Sequence, residues 1–246
     1  MANSRRLDGI IKRGKSMKNA IAVITARGGS KRIPRKNIKE FCGKPIIAYS
    51  IEAALKSNAF DEVIVSTDDE EIAEIAKQYG ASVPFMRSKE NADDFATTAD
   101  VLLEVVGKYK ELGKEFLHLC CIYPTAPFVS SDNLVSAMEL LQTEGVQTVM
   151  PVAAFSFPPQ RGMYIRDGRL EYVYPEYATK RSQDIEKMYH DCGQFYCVKV
   201  DEFLKEKKIV MPNTKAVVIS EREVQDIDTE EDWLIAEIKY QRLHRD

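Results

Sequence analysis

Hydrophobic and polar positions along the chain switch repeatedly between the period of a strand and the period of a helix. Ala20-Ile21-Ala22-Val23-Ile24 is a continuous apolar run, the pattern of a strand buried on both faces. A loop of Gly, Ser, Pro and basic residues follows, and Pro45 then opens a helix, where proline is tolerated at the first position. Asp61 to Thr67 predicts a second strand centred on Val63-Ile64-Val65. Asp68 is placed to cap the next helix, with Glu71 three residues later. Ile72, Ile75, Ala76 and Tyr79 fall on one face of it, and Gly80 ends it. Val83-Pro84-Phe85 predicts a short strand at an edge or an end. Thr97 or Thr98 starts a helix with Leu102, Val105, Val106, Tyr109 and Leu112 inward, stopped by Gly113. Phe116 to Tyr123 predicts a buried strand halted by Pro124. Ser130 or Ser131 caps a helix through Leu134, Val135, Met138 and Leu141, and Thr148 to Val152 predicts a further strand.

Alternation of this kind predicts an α/β fold, with right-handed crossovers and a mostly parallel sheet. Ligands of such sheets bind beyond the carboxyl ends of the strands. The loops after Ile24, Thr67, Tyr123 and Val152 are therefore expected to face one site. The pattern changes after Pro151. Met163 to Tyr174 alternates around Asp167-Gly168, a hairpin signal, and a hairpin leaving the sheet is a candidate dimer contact. Gln194 to Lys199 and Ala216 to Ile219 return to strand character. Thr229 caps a final helix holding Trp233, Ala236, Ile238 and Tyr240.

Composition narrows the class. A chain of 246 residues with a hydrophobic share of 44% suits one sizeable α/β domain. The net charge of −3, from 35 basic and 38 acidic residues, speaks against a general nucleic-acid binder. No apolar run approaches the roughly 18 residues of a membrane-spanning helix. The 5 cysteines have neither zinc spacing nor a disulfide framework, which predicts reduced thiols and a cytoplasmic protein. Residues 1–16 carry Arg5, Arg6, Lys12, Arg13 and Lys15 against Asp8 alone. They are expected to form a disordered extension, such as an upstream start codon would add, ahead of a single domain over 17–246.

Two segments carry candidate chemistry. The first is Ala26-Arg27-Gly28-Gly29-Ser30-Lys31-Arg32-Ile33-Pro34-Arg35-Lys36-Asn37, directly after the first buried strand. Gly28 and Gly29 let backbone N–H groups approach an anion, Arg forks onto phosphate oxygens, and Lys adds a mobile charge. A solvated basic turn is the competing reading, and glycines, position and charge together outweigh it. The segment matches neither the P-loop nor G-x-G-x-x-G. The second segment is Gln225-Asp226-Ile227-Asp228-Thr229. In extended backbone the two carboxylates share a face, which suits Mg²⁺ held by carboxylates and substrate phosphates. Capping of the last helix by Asp228 or Thr229 is an equal alternative. Asp68-Asp69 reads as a helix cap. Arg27 and Lys36 with Asp226 and Asp228 form a set suited to phosphoryl transfer.

On these residues, with Ser66-Thr67-Asp68 and Tyr123-Pro124-Thr125-Ala126-Pro127, the chain resembles the cytidylyltransferases that activate nonulosonic and related sugar acids, the CMP-sialate and CMP-Kdo synthetases. Asp94-Phe95-Ala96-Thr97-Thr98-Ala99-Asp100, Lys180-Arg181-Ser182-Gln183-Asp184 and Tyr189-His190-Asp191 look closest to the pseudaminic acid branch. The resemblance implies a Rossmann-like three-layer domain of the nucleotide-diphospho-sugar transferase type. It also implies a small hairpin dimerisation element, about 155–190, and hence a homodimer. CTP and an acidic nine-carbon sugar would be the substrates, with Mg²⁺ as cofactor. By resemblance Ala26, Arg27, Gly28, Gly29, Ser30, Lys36 and Asn37 would hold the triphosphate. Arg87, Ala96 and Thr98 would lie around cytosine and ribose. Asp226 and Asp228 would hold the metal, and Tyr123, Thr125, Arg181, Gln194 and Tyr196 would line the sugar site. CMP-sialate synthetases usually carry Gln and Arg where this chain has Tyr123 and Phe128. The change predicts a more apolar sugar pocket, suited to a deoxy sugar with acetamido groups, since sialic acid would leave hydroxyls unpaired. A CMP-sialate or CMP-Kdo synthetase, a sugar-1-phosphate nucleotidyltransferase and a nucleotide-sensing module are the alternatives.

Overall fold

The computed structural model describes residues 19–244, so the extension expected at 1–16 lies outside the described residues. The strands are β1 (Ala20–Thr25), β2 (Glu40–Phe41), β3 (Lys44–Pro45), β4 (Glu62–Ser66), β5 (His118–Ile122), β6 (Thr148–Ala154), β7 (Met163–Arg166), β8 (Arg169–Tyr172), β9 (Tyr189–Asp191), β10 (Phe195–Lys199) and β11 (Thr214–Val218). The helices are α1 (Ile46–Ser57), α2 (Glu70–Gln78), α3 (Thr98–Glu111), α4 (Ser131–Leu141), α5 (Val200–Glu206) and α6 (Glu230–Leu243).

The main sheet runs β11-β6-β10-β5-β1-β4, with β9 also paired to β6. β1 is parallel to β4 and β5, and β11 is parallel to β6. β10 and β9 run antiparallel to their neighbours, so the sheet is mostly parallel. Alternation along β1 shows why its sequence is apolar throughout. Ala20, Ala22 and Ile24 join the core beneath α1, α2 and α4, while Ile21 and Val23 join the core beneath α3 and α5. Helices on both faces make the three expected layers. A third cluster, built from Ile33, Phe41, Tyr49, Phe128, Ile227 and Trp233, seats α6 against residues 33–49. No helix among the described residues is long and apolar enough to cross a membrane.

Several local expectations change. Val83 to Phe85 forms no strand; Pro84 lacks the donor a ladder needs, and pairing there stops at a single bridge, Ile64 to Ser82. Asp69, not Asp68, caps α2, accepting from the Ile72 amide at 3.0 Å. Ile238 points outward at 57% exposure. β9 and α5 were not signalled by periodicity. The expected hairpin is present, with Asp167 and Gly168 at its turn and both strands exposed.

Candidate active site

The loop after β1 borders a cleft of about 520 Å³. Arg27, Gly29, Ser30, Lys36 and Asn37 line it, together with Arg87, Ala96 and Thr98. Tyr123 and Thr125, just past β5, also line it, so the loops following β1 and β5 converge, while the residues just past β4 and β6 do not line it. Ala26 lies beneath, fully buried, its amide bonded to Ser66 O at 3.0 Å.

Polar contacts hold this loop in shape. The Gly28 amide donates to Asp68 Oδ1 at 2.9 Å, and the Asn37 side chain donates to Arg27 O at 2.8 Å. Behind Gly28 stands Asp69, and a Cβ at position 28 would lie 2.8 Å from Asp69 Oδ2. The Asp69 carboxylate is itself gripped by the fork of Arg35, which holds its pKa down at about 2. Arg35 is thus a brace of the loop rather than part of its anion surface. Arg87 is 8% exposed and donates to Ser66 Oγ and Ser66 O at 3.1 and 2.5 Å. Arg27 donates to Asp94 Oδ1 at 2.8 Å and to Asp93 O at 3.0 Å, and Lys31 also pairs with Asp94. Hydrogen bonds from Lys31 and Arg27 hold the Asp94 carboxyl below the usual range. A carboxylate therefore sits where the loop's cations would meet a phosphate.

The two sequence signals meet across 191 residues. Lys36 Nζ donates to Ile227 O at 2.6 Å and lies 3.6 Å from Asp228 Oδ1. Arg32 pairs with the same carboxylate at 2.8 Å. The alternative of a cap is settled locally. Thr229 caps α6 in a capping box with Asp232, which leaves the Asp228 carboxylate to the basic loop. Ile227 is buried between Asp226 and Asp228, as alternating backbone requires. Asp226 opens onto a second cleft of about 430 Å³, lined also by Asp191, Cys192, Gly193, Gln225 and Lys239. Among the described residues no three His, Cys, Asp or Glu side chains form a metal cluster. Asp228 stands beside the basic loop and Asp226 opens onto the second cleft, a carboxylate set of the size Mg²⁺ commonly takes, its shell being completed by phosphates and water.

The sugar-site residues part company. Tyr123 and Tyr196 face each other with ring centroids 5.6 Å apart, and Thr98 Oγ1 lies 3.3 Å from the Tyr123 hydroxyl. A break in register places them. Val149 pairs with Cys197 and Val152 with Asp191, so three steps along β6 oppose six along the partner. The surplus falls after Cys192, whose amide still donates to Pro151 O of β6 at 3.3 Å, and Gln194 O takes up the Tyr123 amide at 2.8 Å. Gln194 is 3% exposed; its Nε2 donates to Glu223 O at 2.6 Å and its Oε1 has no partner. Arg181 lies away from both clefts, paired with Asp184 at 2.8 Å on an exposed segment. Phe128 is a correction: it lies outside both clefts, packed 6.0 Å from the Tyr240 ring in the α6 core, so the apolar-pocket reading rests on Tyr123 alone. Sequence reading missed Asp68, Asp94 and Asp191 as site residues. Asp191-x-Gly193, a short turn signal before β10, is the one local cue that pointed to the last of them.

Comparison with known proteins shows the family. The family described as Cytidylyltransferase matches residues 21–216. Pseudaminic acid cytidylyltransferase of Campylobacter jejuni is 42% identical over 229 residues, 93% of this chain and 98% of that protein. CMP-N,N'-diacetyllegionaminic acid synthase of Legionella pneumophila is 34% identical, covering 88% of this chain and 94% of its own length. The solved structure of a CMP:2-keto-3-deoxy-manno-octonic acid synthetase complexed with CTP shares the fold, with a TM-score of 0.66 at 19% identity, over 92% of this chain and 98% of that one. The chain belongs to the cytidylyltransferase family, and is an enzyme of the nucleotidyltransferase class.

Proposed function

We propose that the protein joins CMP from CTP to the anomeric hydroxyl of a nonulosonic acid, pseudaminic acid above others, with release of pyrophosphate. The observation that carries this reading is the meeting of the basic loop with Asp226-Ile227-Asp228, through Lys36 to Ile227 O and Arg32 to Asp228. It brings the loop's cations to the Asp226-Ile227-Asp228 segment, which supports phosphate binding by the former and metal holding by the latter. The first cleft, with the Gly28-Gly29 loop and Arg87, takes the nucleotide. The second, opened by Asp226, takes the sugar acid, and Lys239 is the cation that lines it for the carboxylate.

In the reaction the anomeric oxygen bonds to the α-phosphorus. The bond from that phosphorus to the bridging oxygen breaks, pyrophosphate leaves, and the hydroxyl gives up its proton. Arg27 and Lys36 bind the phosphates and offset the charge that develops on them. Asp226 and Asp228 would hold Mg²⁺, which when bound neutralises phosphate charge and acidifies the attacking hydroxyl. Five free thiols and a nucleotide substrate support a cytoplasmic setting. The exposed faces of β7 and β8, with Ile165 at 77% and Leu170 at 66%, fit a second copy of the chain in a homodimer.

Substitution at this meeting tests the assignment. Lys36→Ala, Asp226→Asn and Asp228→Asn are each expected to slow CTP-dependent pyrophosphate release by about 100-fold or more, in folded protein. Turnover within a few-fold of wild type in all three would remove the reading.

A further inference from the structure

Residues 92–96 are held at both ends and touch the basic loop in the middle. On one side Asn91 donates to Glu104 at 2.6 Å, and on the other Thr97 caps α3 in a capping box with Asp100. Within the segment Asp93 Oδ1 accepts the Phe95 and Ala96 amides, each at 2.8 Å, so that carboxylate is used locally. Among the described residues, the polar contacts that tie 92–96 to another element are those of Arg27 with Asp94 Oδ1 and Asp93 O, at 2.8 and 3.0 Å, and of Lys31 with Asp94. Phe95, the one large apolar side chain of the segment, is 90% exposed and adds no packing to them.

The same contacts stand between two open spaces. Asn91, Asp93 and Asp94 belong to the wall of the nucleotide cleft. A further cleft of about 520 Å³ is lined by Ala92, Asp94 and Phe95 together with Gly28, Gly29 and Arg35. Arg27, Ser30 and Lys31 line both clefts. A carboxylate and a phosphate ask for the same donors, since guanidinium and ammonium groups bond to either. An N–H spent on one is not free for the other. Arg27 Nη1 carries two N–H bonds, and it gives one to Asp94 and the other to Asp93 O.

We propose that Asp94 is a built-in competitor of the triphosphate: its carboxylate takes the donors of Arg27 and Lys31 that a phosphate would take, and a polyphosphate binds there only by displacing it. This rests on the cytidylyltransfer reading above, which makes the loop a phosphate site, and it names a residue that sets how tightly that site binds. The apparent affinity for a polyphosphate is lowered by the fraction of molecules in which Asp94 holds the cations. Exposure limits the size of the effect. The Arg27 and Asp94 side chains are 39% and 42% exposed, and exposed ion pairs are individually weak. One carboxylate shared by two cations therefore changes affinity by a few-fold, not by orders of magnitude.

The test measures binding of pyrophosphate by titration calorimetry, in metal-free buffer of low ionic strength, to wild type, Asp94→Asn and Asp94→Ala. Asparagine keeps the size of the side chain and removes its charge. Both variants are expected to bind pyrophosphate about threefold to tenfold more tightly than wild type. The KM for CTP should fall by a similar factor. Cytidine, which carries no phosphate, should bind all three forms within about twofold, a contrast that a general loosening of the segment would not produce. The gain should shrink as salt is raised toward about 1 M, where the charges are screened. It should vanish when Asp94→Asn is combined with Arg27→Ala and Lys31→Ala, because the effect acts through those two cations. Unchanged or weaker pyrophosphate binding in both Asp94 variants, or an equal gain for cytidine, would overturn the proposal; weaker binding would assign Asp94 to setting Arg27 in place for the phosphate. Absence of pyrophosphate release from wild type with CTP and every nonulosonic acid would instead overturn the function on which it rests, and turnover reports that separately from the calorimetry.

Discussion

A methyl group at position 28 has nowhere to go. Its Cβ would meet Asp69 Oδ2 at 2.8 Å, and that oxygen cannot swing aside, because Arg35 and the Ile72 amide hold the carboxylate. The loop would have to move instead, and its Arg27 and Ser30 line the nucleotide cleft. Gly28→Ala is therefore expected to raise the KM for CTP about tenfold while leaving the melting temperature within a few degrees, as steady-state kinetics and a thermal melt would show. The cations and glycines of this loop were legible in the sequence because they are contiguous. Their partners were not. Asp68 reaches Gly28 across 40 residues and Asp94 reaches Arg27 across 67, and nothing local marks either carboxylate as part of the loop.

The segment that carries Asp94 and Ala96 hangs from one helix. Glu104 of α3 accepts from the Ser88 amide and hydroxyl at 2.8 and 3.0 Å, from Asn91 at 2.6 Å, and pairs with Lys108 at 2.5 Å. Burial alone would raise the Glu104 pKa, but Lys108, Asn91 and Ser88 together pull it down to about 2. A carboxyl whose pKa is lower in the folded state stabilises the fold above its unfolded value, near 4.5, and loses that contribution as pH falls toward 2. Glu104→Gln should therefore cost on the order of 2–3 kcal/mol at neutral pH, and the gap to wild type should close between about pH 4.5 and 2 in urea melts. A gap unchanged over that range would show that the charge is not what anchors the segment. Element identities were largely readable here, because buried strands and capped helices carry period and punctuation. The break between β9 and β10 was not, since a surplus of three residues is a property of pairing with β6 and leaves no mark in either strand alone.

The hairpin presents an exposed apolar surface. Met163, Tyr164, Ile165, Leu170 and Tyr172 of the hairpin are all between 41% and 77% exposed. A face of this kind suits burial against an identical face about a two-fold axis. Sedimentation is expected to find a dimer for the native chain and a monomer for Ile165→Asp combined with Leu170→Asp; a monomeric native chain would remove the hairpin's proposed role. The mostly parallel α/β sheet was legible from alternation, its three layers from the family resemblance, and the meeting of the basic loop with Asp228 from two motifs at strand ends. The sugar site was less legible: Tyr123 lines the first cleft and not the second, and Phe128, five residues later, turns into the α6 core because Tyr240, far along the chain, packs against it. Sugar choice is accordingly where measurement decides most. Pyrophosphate release should be followed with CTP and Mg²⁺ in the presence of pseudaminic acid, N-acetylneuraminic acid or Kdo. Release with pseudaminic acid at a kcat/KM about 100-fold above the other two is the expected result; no release with any of the three acids, or release only with a sugar 1-phosphate, would contradict the assignment of CMP transfer to a nonulosonic acid.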